Sequence, residues 1–507
     1  MRVADQCDVA VIGGGPAGST AAQLLAAWGW RVVLLHRESV RPSLAESLPS
    51  STRKIFAFLG QLAGVEDAGF HPNNGNVAQW AGQPRVTRTT DAGFHVSRAS
   101  FDRLLRSGAA AAGARILDAV VRGVEIGDPS RVTYAERQGS GGCLHARYVL
   151  DASGRAGVVA RRGWRRADGR YRTLAIASEW ECPAWPDTER TQTLVESFDA
   201  GWAWSVPVSA TRRQCTVMVE HGPFRRGQES GRGGAPENVA LPAVYARGIA
   251  RTTALRARLA TATQVAAPWT CDASVYDCSQ AADAGVLLVG DAASFIEPLS
   301  SAGVKKALLS AWRAAVVTNT CLKQPSLAGA ARDLYVSRER AVFADCMRRS
   351  TGFFDEAAAA YGSPFWSTRA ACADALADAR PDGSGEWTDA ALARDTAVRR
   401  AFDYLRASDT MRLQTARSLR VQPVAAIEGR EVVMRDALVM PGVDAPLRFA
   451  AGVDLPALAR LAGAGRDVPE LIAAYHAQVG PVPVSGLLTG LSLLVARHAL
   501  VAEGSPS

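Results

Sequence analysis

Lysine is scarce in this sequence. Of the 57 Lys and Arg side chains only Lys54, Lys305, Lys306 and Lys323 are lysines; the rest are scattered arginines, with the densest run, ARRGWRR, at 160–166. A net charge of +8 spread in this way offers neither the clustered basic face nor the motif of a nucleic-acid binder, so nucleic acid is not an expected partner. CxxC pairs are also missing: the nine cysteines are dispersed, and the closest two, Cys271 and Cys278, stand seven apart. That excludes a zinc ribbon and a disulfide framework, and no metal site is expected. No stretch reaches 18 apolar residues; the nearest candidate, GLLTGLSLLVARHALVA, is broken by Arg497 and His498, so no membrane span is expected. The opening, MRVADQCDVAVIGGG, enters a strand pattern at once and carries no signal-peptide pattern. These absences together point to a reduced, cytoplasmic, membrane-free protein.

With 507 residues, 48% hydrophobic and 21% charged, the composition fits a globular protein of two or three packed units. Val9, Val11 and Ile12 precede GGGPAGSTAAQLLAAWG, and RVVLLH at 31–36 follows as a second strand, making one βαβ unit. Gly13, Gly15 and Gly18 form GxGxxG in that strand–turn–helix setting. The first glycine allows the tight turn, the second lets a pyrophosphate approach the backbone, and the third lets helix and strand pack closely. The helix N-terminus then favours the anion. At the end of the second strand, where an acidic residue would hold a ribose, stands His36, with Glu38 two residues on. An imidazole can hydrogen-bond a hydroxyl. Far downstream, LLVGDAASFIEPLSSAGV places Asp291 at the end of another strand, ahead of the Pro298 turn and a small-residue helix start with Ser300, Ser301 and Gly303. The carboxylate suits ribityl hydroxyls, and the helix N-terminus suits negative charge on a reduced flavin ring. The two signatures, with DASGRAG between them, select FAD.

The expected fold is α/β. A Rossmann-like FAD-binding domain is drawn from 1–75, 96–170 and 276–325, and an antiparallel β-sheet substrate domain from 76–95 and 171–275. A helical extension at 326–382 and a mainly helical C-terminal domain at 388–507 follow. The alternating stretches RTLAIASEWEC, TQTLVES and QCTVMVEHG carry the sheet, RRGQESGRGGAPEN at 225–238 reads as a mobile polar loop, and ARPDGSGEW at 379–387 as a linker. In the C-terminal domain REVVMRDALVMPG reads as a short hairpin. Leu455, Leu458 and Leu461, then Leu487, Leu491 and Leu494, recur at helical spacing, and Asp467 or its neighbour is placed to cap a helix beginning near Pro469. Such a module is either a buttress for the FAD domain or a docking device for a protein- or peptide-borne substrate.

Five ordered motifs resemble the flavin-dependent halogenase and hydroxylase superfamily: glycines 13, 15 and 18, AESLP at 45–49, VSRASFD at 96–102, GWAWSVP at 201–207 and GDAASFIEPLSSAGV at 290–304. The resemblance implies FAD in a Rossmann-like domain beneath an antiparallel roof, and a flavin-facing arginine at Arg98. It also implies reduced flavin that reacts with dioxygen to give a C4a-hydroperoxide. WAWSVP is similar to the halogenase signature WxWxIP. In the same family a lysine, lying after the AESLP-like motif and ahead of a tryptophan, holds hypohalous acid beside the substrate. Here AGFHPNNGNVAQWAG offers Pro72 or Asn73 at that place, and Ser300 stands where tryptophan halogenases carry a glutamate. Both departures favour direct oxygen transfer to an electron-rich aromatic ring, an indole or a phenol. ESLPSSTRK, NNGNVAQWAG and GWAWSVPVS are most similar to lysine-free members, among them the peptidyl tryptophan hydroxylases of quinone-cofactor biogenesis.

Hydroxylation needs a base near the ring heteroatom. Glu46, in AESLP, and His71, in the loop that follows, are the candidates. Trp80, Trp202 and Trp204 are pocket walls or core; of Lys305 and Lys306, just inside the flavin helix, the helical period turns at most one toward the cofactor, and otherwise both read as solvated charge. The substrate is a free aromatic molecule or one borne on a carrier, peptide or protein. Electrons come from NAD(P)H or a separate flavin reductase. A halogenase of an aromatic substrate and a non-catalytic flavoprotein chaperone stay open as alternatives.

Overall fold

The computed structural model describes residues 5–38, 42–137, 139, 141–183, 185–186, 189–221, 241–377, 392, 394–407, 411–443 and 445–502. The loop expected at 225–238 and the linker at 379–387 lie outside them. The chain divides into two units, residues 1–325 with 342–379 and residues 326–341 with 380–507.

Two large sheets build the first unit. In one, strand Asp5–Ile12 lies between Val32–His36 and Gly141–Asp151 and runs parallel to both. Arg115–Glu125 and Val286–Leu288 extend it on either side, also parallel. Val9, Val11, Leu34, Leu150 and Leu287 are buried, as the near-continuous apolar strands of a covered parallel sheet must be. The second sheet runs in the order Thr263–Gln264, Thr173–Glu181, Arg212–Glu220, Gly201–Pro207, Thr193–Phe198, His71–Trp80, Gln83–Ser97, Ala45–Leu48. Its pairings are antiparallel except that Thr193–Phe198 lies parallel to His71–Trp80. Because side chains alternate along a strand, Ala175, Trp202 and Met218 enter an aromatic core with Trp80, Tyr171, Phe354 and Trp366. Leu174, Ile176, Ala203, Cys215 and Val217 point the other way, onto helices Leu241–Arg251 and Ala254–Leu259.

This roof sheet claims residues 45–48 and 71–75, which the sequence pattern assigned to the FAD domain. The alternation is hidden there because the register shifts between Asn73 and Gly75. Gly75 has φ +126°, and a Cβ on it would lie 1.9 Å from the Thr87 carbonyl oxygen, so the bulge needs glycine.

The second unit has its own core, in which Leu455, Leu458, Leu461, Leu487, Leu491 and Leu494 are buried together with Val398, Leu471 and Tyr475. Its helices include Thr396–Arg406, Leu455–Ala462, Val468–Gln478 and Val484–Ala496. Asp467 caps the third of these reciprocally with Glu470. REVVMRDALVMPG is not a hairpin: Glu431–Val439 is one strand, and its partner Arg420–Glu428 precedes it across Gly429. Among the described residues no helix is long and apolar enough to cross a membrane.

Candidate active site

The glycine turn is built by backbone contact. Gly13 has φ +108°, and a Cβ there would sit 2.4 Å from the Ala152 carbonyl oxygen; one on Gly18 would sit 1.9 Å from the Gly13 carbonyl oxygen. Strand, turn and helix therefore close on each other only through glycine. Gly15 differs. A Cβ on it would meet nothing nearer than Arg98 Nη2 at 3.6 Å, so its face is open. Helix Pro16–Ala27 starts behind it with no side-chain cap, which leaves first-turn N–H groups for an anion. A cavity of about 590 Å³ opens in front, lined by Gly13 to Ala17, His36, Glu46, Arg98 and Asp291 and roofed by Trp204, Val206, Thr216 and Met218. Gly18 is not in its wall.

At one end the His36 imidazole keeps a buried Nδ1 without a hydrogen-bond partner. Burial, reinforced by Arg106, lowers its pKa and keeps the ring neutral. Glu38 is turned aside: it accepts from Arg106 Nη2 at 2.7 Å, while Arg106 Nη1 donates to the Gly14 carbonyl oxygen at 3.1 Å. His36, rather than Glu38, therefore faces the cavity.

Toward the roof, Asp291 stands on the turn Gly290–Ala292 with Oδ1 buried and unbonded, 3.6 Å from Lys306 Nζ. Ser301, at φ +48°, and Gly303 line the cavity where helix Gly303–Lys323 begins. Ser300 does not reach it; its hydroxyl donates to the Glu297 carbonyl at 3.0 Å and accepts from Ala302 N at 3.3 Å, closing its own turn.

Arg98 opens helix Arg98–Ala111 and grips both carboxylate oxygens of Asp102, at 3.0 and 3.1 Å, while Nη1 reaches Glu46 Oε1 at 3.3 Å. Burial raises the pKa of the Glu46 carboxyl; Arg98 opposes the rise, and Asp291 and Asp102 add to it. Burial works against the Arg98 charge, but Asp102 and then Glu46 carry its pKa upward. The wall thus holds a fixed cation beside a carboxyl that stays protonated to a higher pH than an ordinary glutamate.

His71 does not join them. It lies on a strand opposite His95, its Nε2 is 2.7 Å from the Arg190 carbonyl oxygen, and it is absent from the cavity wall. The imidazoles of His71 and His95 stack at 6.2 Å. Asn73 is buried, with Nδ2 donating to Ser47 Oγ at 2.9 Å and to the Leu48 carbonyl at 3.1 Å; Ser47 itself lines the cavity. None of the four lysines does. Lys306 is buried, contrary to the solvated charge expected of it. Trp80 and Trp202 are core, and Trp204 is wall. The sequence reading also missed Asp102 and Arg106, although they follow Arg98 at intervals of four residues and so share its helix face.

A family model described as tryptophan halogenase matches residues 68–380. The chain belongs to the tryptophan halogenase family. Within it, the tryptophan 2-halogenase of Chondromyces crocatus is 29% identical over 330 residues, which is 62% of this chain and 61% of that relative's own length. Among solved structures, the myxobacterial chondrochloren halogenase CndH is similar with a TM-score of 0.65 at 28% identity, covering 72% of this chain and 86% of its own. The peptidyl tryptophan dihydroxylase QhpG, essential for tryptophylquinone cofactor biogenesis, shares the fold with a TM-score of 0.67 at 21% identity, covering 97% and 99%.

Proposed function

We propose that this chain is an FAD-dependent monooxygenase that hydroxylates an electron-rich aromatic ring, free or borne on a peptide. FAD fits the residues present: Gly15 with its open face, His36 with a buried Nδ1 that has no hydrogen-bond partner, and Asp291, whose side chain is 31% exposed, all line one cavity. In this reading the backbone of Gly13 to Gly15 receives the pyrophosphate, His36 a ribose hydroxyl, and Asp291 the ribityl hydroxyls. Bound and reduced, FAD supplies the electrons that activate dioxygen. Arg98, braced by Asp102, fixes a positive charge in the wall, and Glu46 takes the proton of the ring heteroatom. Trp204, Val206 and Met218 exclude water above them. Electrons arrive from NAD(P)H or from a separate flavin reductase.

The observation that carries hydroxylation is Asn73. Where the resemblance implies a lysine stands Pro72 or Asn73; neither carries an ammonium to hold hypohalous acid, and the Asn73 amide is committed to Ser47 and Leu48. No lysine elsewhere reaches the cavity. The peptidyl tryptophan dihydroxylase, similar over nearly the whole chain, supports a peptide-borne indole as substrate. Halogenation is the second reading, favoured by the names of the relatives.

The test is mass spectrometry of free indoles, phenols and tryptophan-containing peptides after reaction with reduced FAD, labelled dioxygen and excess chloride or bromide. Products are expected to gain labelled oxygen and no halogen isotope pattern. Halogenated product at comparable turnover would reverse the assignment.

A further inference from the structure

The paired lysines just inside helix Gly303–Lys323 part company. Lys305 is at the surface, donating to Ser51 Oγ at 3.0 Å. Lys306 keeps only 1% of its side chain exposed. Its ammonium donates to the carbonyl oxygens of Gly290, at 3.0 Å, and Ser294, at 2.5 Å, which bracket the turn carrying Asp291. The same nitrogen lies 3.6 Å from Asp291 Oδ1, a buried oxygen with no hydrogen-bond partner on a side chain that lines the cavity. Lysine is among the side chains least often buried, and a buried ammonium needs a counter-charge. Here the counter-charge lines the cavity, and the two carbonyls lie on either side of it in the chain.

We propose that Lys306 is a positioning residue for the flavin. It locks the 290–294 turn and neutralises Asp291, so that the cavity accepts the electron-rich reduced cofactor as readily as the oxidised one. The inference rests on the FAD reading above. Reduction adds negative charge to the flavin, and in a wall of low dielectric a bare carboxylate would repel it with little screening. An ammonium one contact behind that carboxylate offsets the repulsion without entering the cavity.

The experiment measures FAD affinity by titration and the two-electron midpoint potential by dye equilibration. It compares the wild type with Lys306→Met, Lys306→Arg, Asp291→Asn and the Met/Asn double variant. Lys306→Met should shift the balance about tenfold toward oxidised FAD, a potential lower by ~30 mV for a two-electron couple. Asp291→Asn should raise the potential, the double variant should return close to the wild type, and Lys306→Arg should keep most of the wild-type value. A purely structural lysine would weaken both redox forms equally and leave the potential of Lys306→Met at the wild-type value, which would overturn the proposal. Should Lys306→Met fail to fold, Lys306→Gln, which removes the charge but keeps a donor for the Gly290 and Ser294 carbonyls, decides in its place: a lower potential supports the proposal, and an unchanged or higher one refutes it. A wild type that takes up no FAD would instead refute the cofactor reading, so the two failures are distinct.

Discussion

Gly15 and Gly18 stand three residues apart and answer different demands. Gly15 has an ordinary φ of −82° and no close neighbour, so Gly15→Val should fold normally and lose only the cofactor. Gly18→Val should instead cost on the order of 3 kcal/mol, because its Cβ would collide with the Gly13 carbonyl. Melting curves and bound-flavin absorbance on the two variants separate the effects. Glu46 gives a second prediction. Its pKa is raised in the folded chain. The stability this contributes is full below the ordinary carboxylate range and is lost as pH rises through the folded value. Deprotonation over that same interval supplies the base, so turnover should climb with pH while stability falls. Glu46→Gln should abolish that limb of the pH–rate profile and lower kcat by about 10²–10⁴-fold. Glu46, Arg98 and Asp291 were legible because each sits in a motif whose neighbours fix its orientation. His71 and Ser300 were not, because adjacency in sequence does not say where a side chain points. The strand period sets His71 against His95, and the Ser300 hydroxyl is consumed by its own turn.

Among the elements, continuous periods were readable and interrupted ones were not. The first βαβ unit and the leucine-spaced helices emerge where the sequence reading put them. The first half of strand His71–Trp80 reads as a loop from sequence, and only residues from 76 on as sheet, because its bulge shifts the register midway. The hairpin of the second unit was misread because its turn residue, Gly429, precedes the segment that looked self-paired. The Asp467 cap, by contrast, was visible from an acidic residue just ahead of a helix-starting proline. Asp467→Ala should cost about 1 kcal/mol, measurable as a lower denaturation midpoint of the full chain. Helix Pro364–Ala377 is pinned to the roof by Arg369, 2% exposed on its side chain, which reaches Glu220 at 2.8 Å, Thr173 Oγ1 at 3.0 Å and the Arg172 carbonyl at 2.8 Å. Arg369→Met removes these contacts from a buried position and should destabilise by ~3 kcal/mol, read by the same denaturation.

For the molecule as a whole, every described residue lining the cavity falls between 12 and 307, while the second unit, apart from 326–341, begins at 380. A chain ending near 380 should therefore keep FAD, seen as a retained flavin spectrum. The helical unit we propose as the grip on a peptide-borne substrate, since a flavin cavity alone gives little hold on a large partner. The shortened chain should consume oxygen and oxidise a free indole but leave a tryptophan peptide unmodified; loss of flavin on truncation would mark the unit as a buttress instead. The nucleotide end of the cavity carries a different consequence. A carboxylate at the tip of strand Val32–His36 would act as a gatekeeper, turning away any dinucleotide with an extra phosphate on its adenosine ribose. The neutral His36 with Arg106 beside it has no such veto. On the FAD reading, that end of the cavity is expected to tolerate an added phosphate on the adenosine ribose, a difference that competition between the two nucleotide forms would reveal.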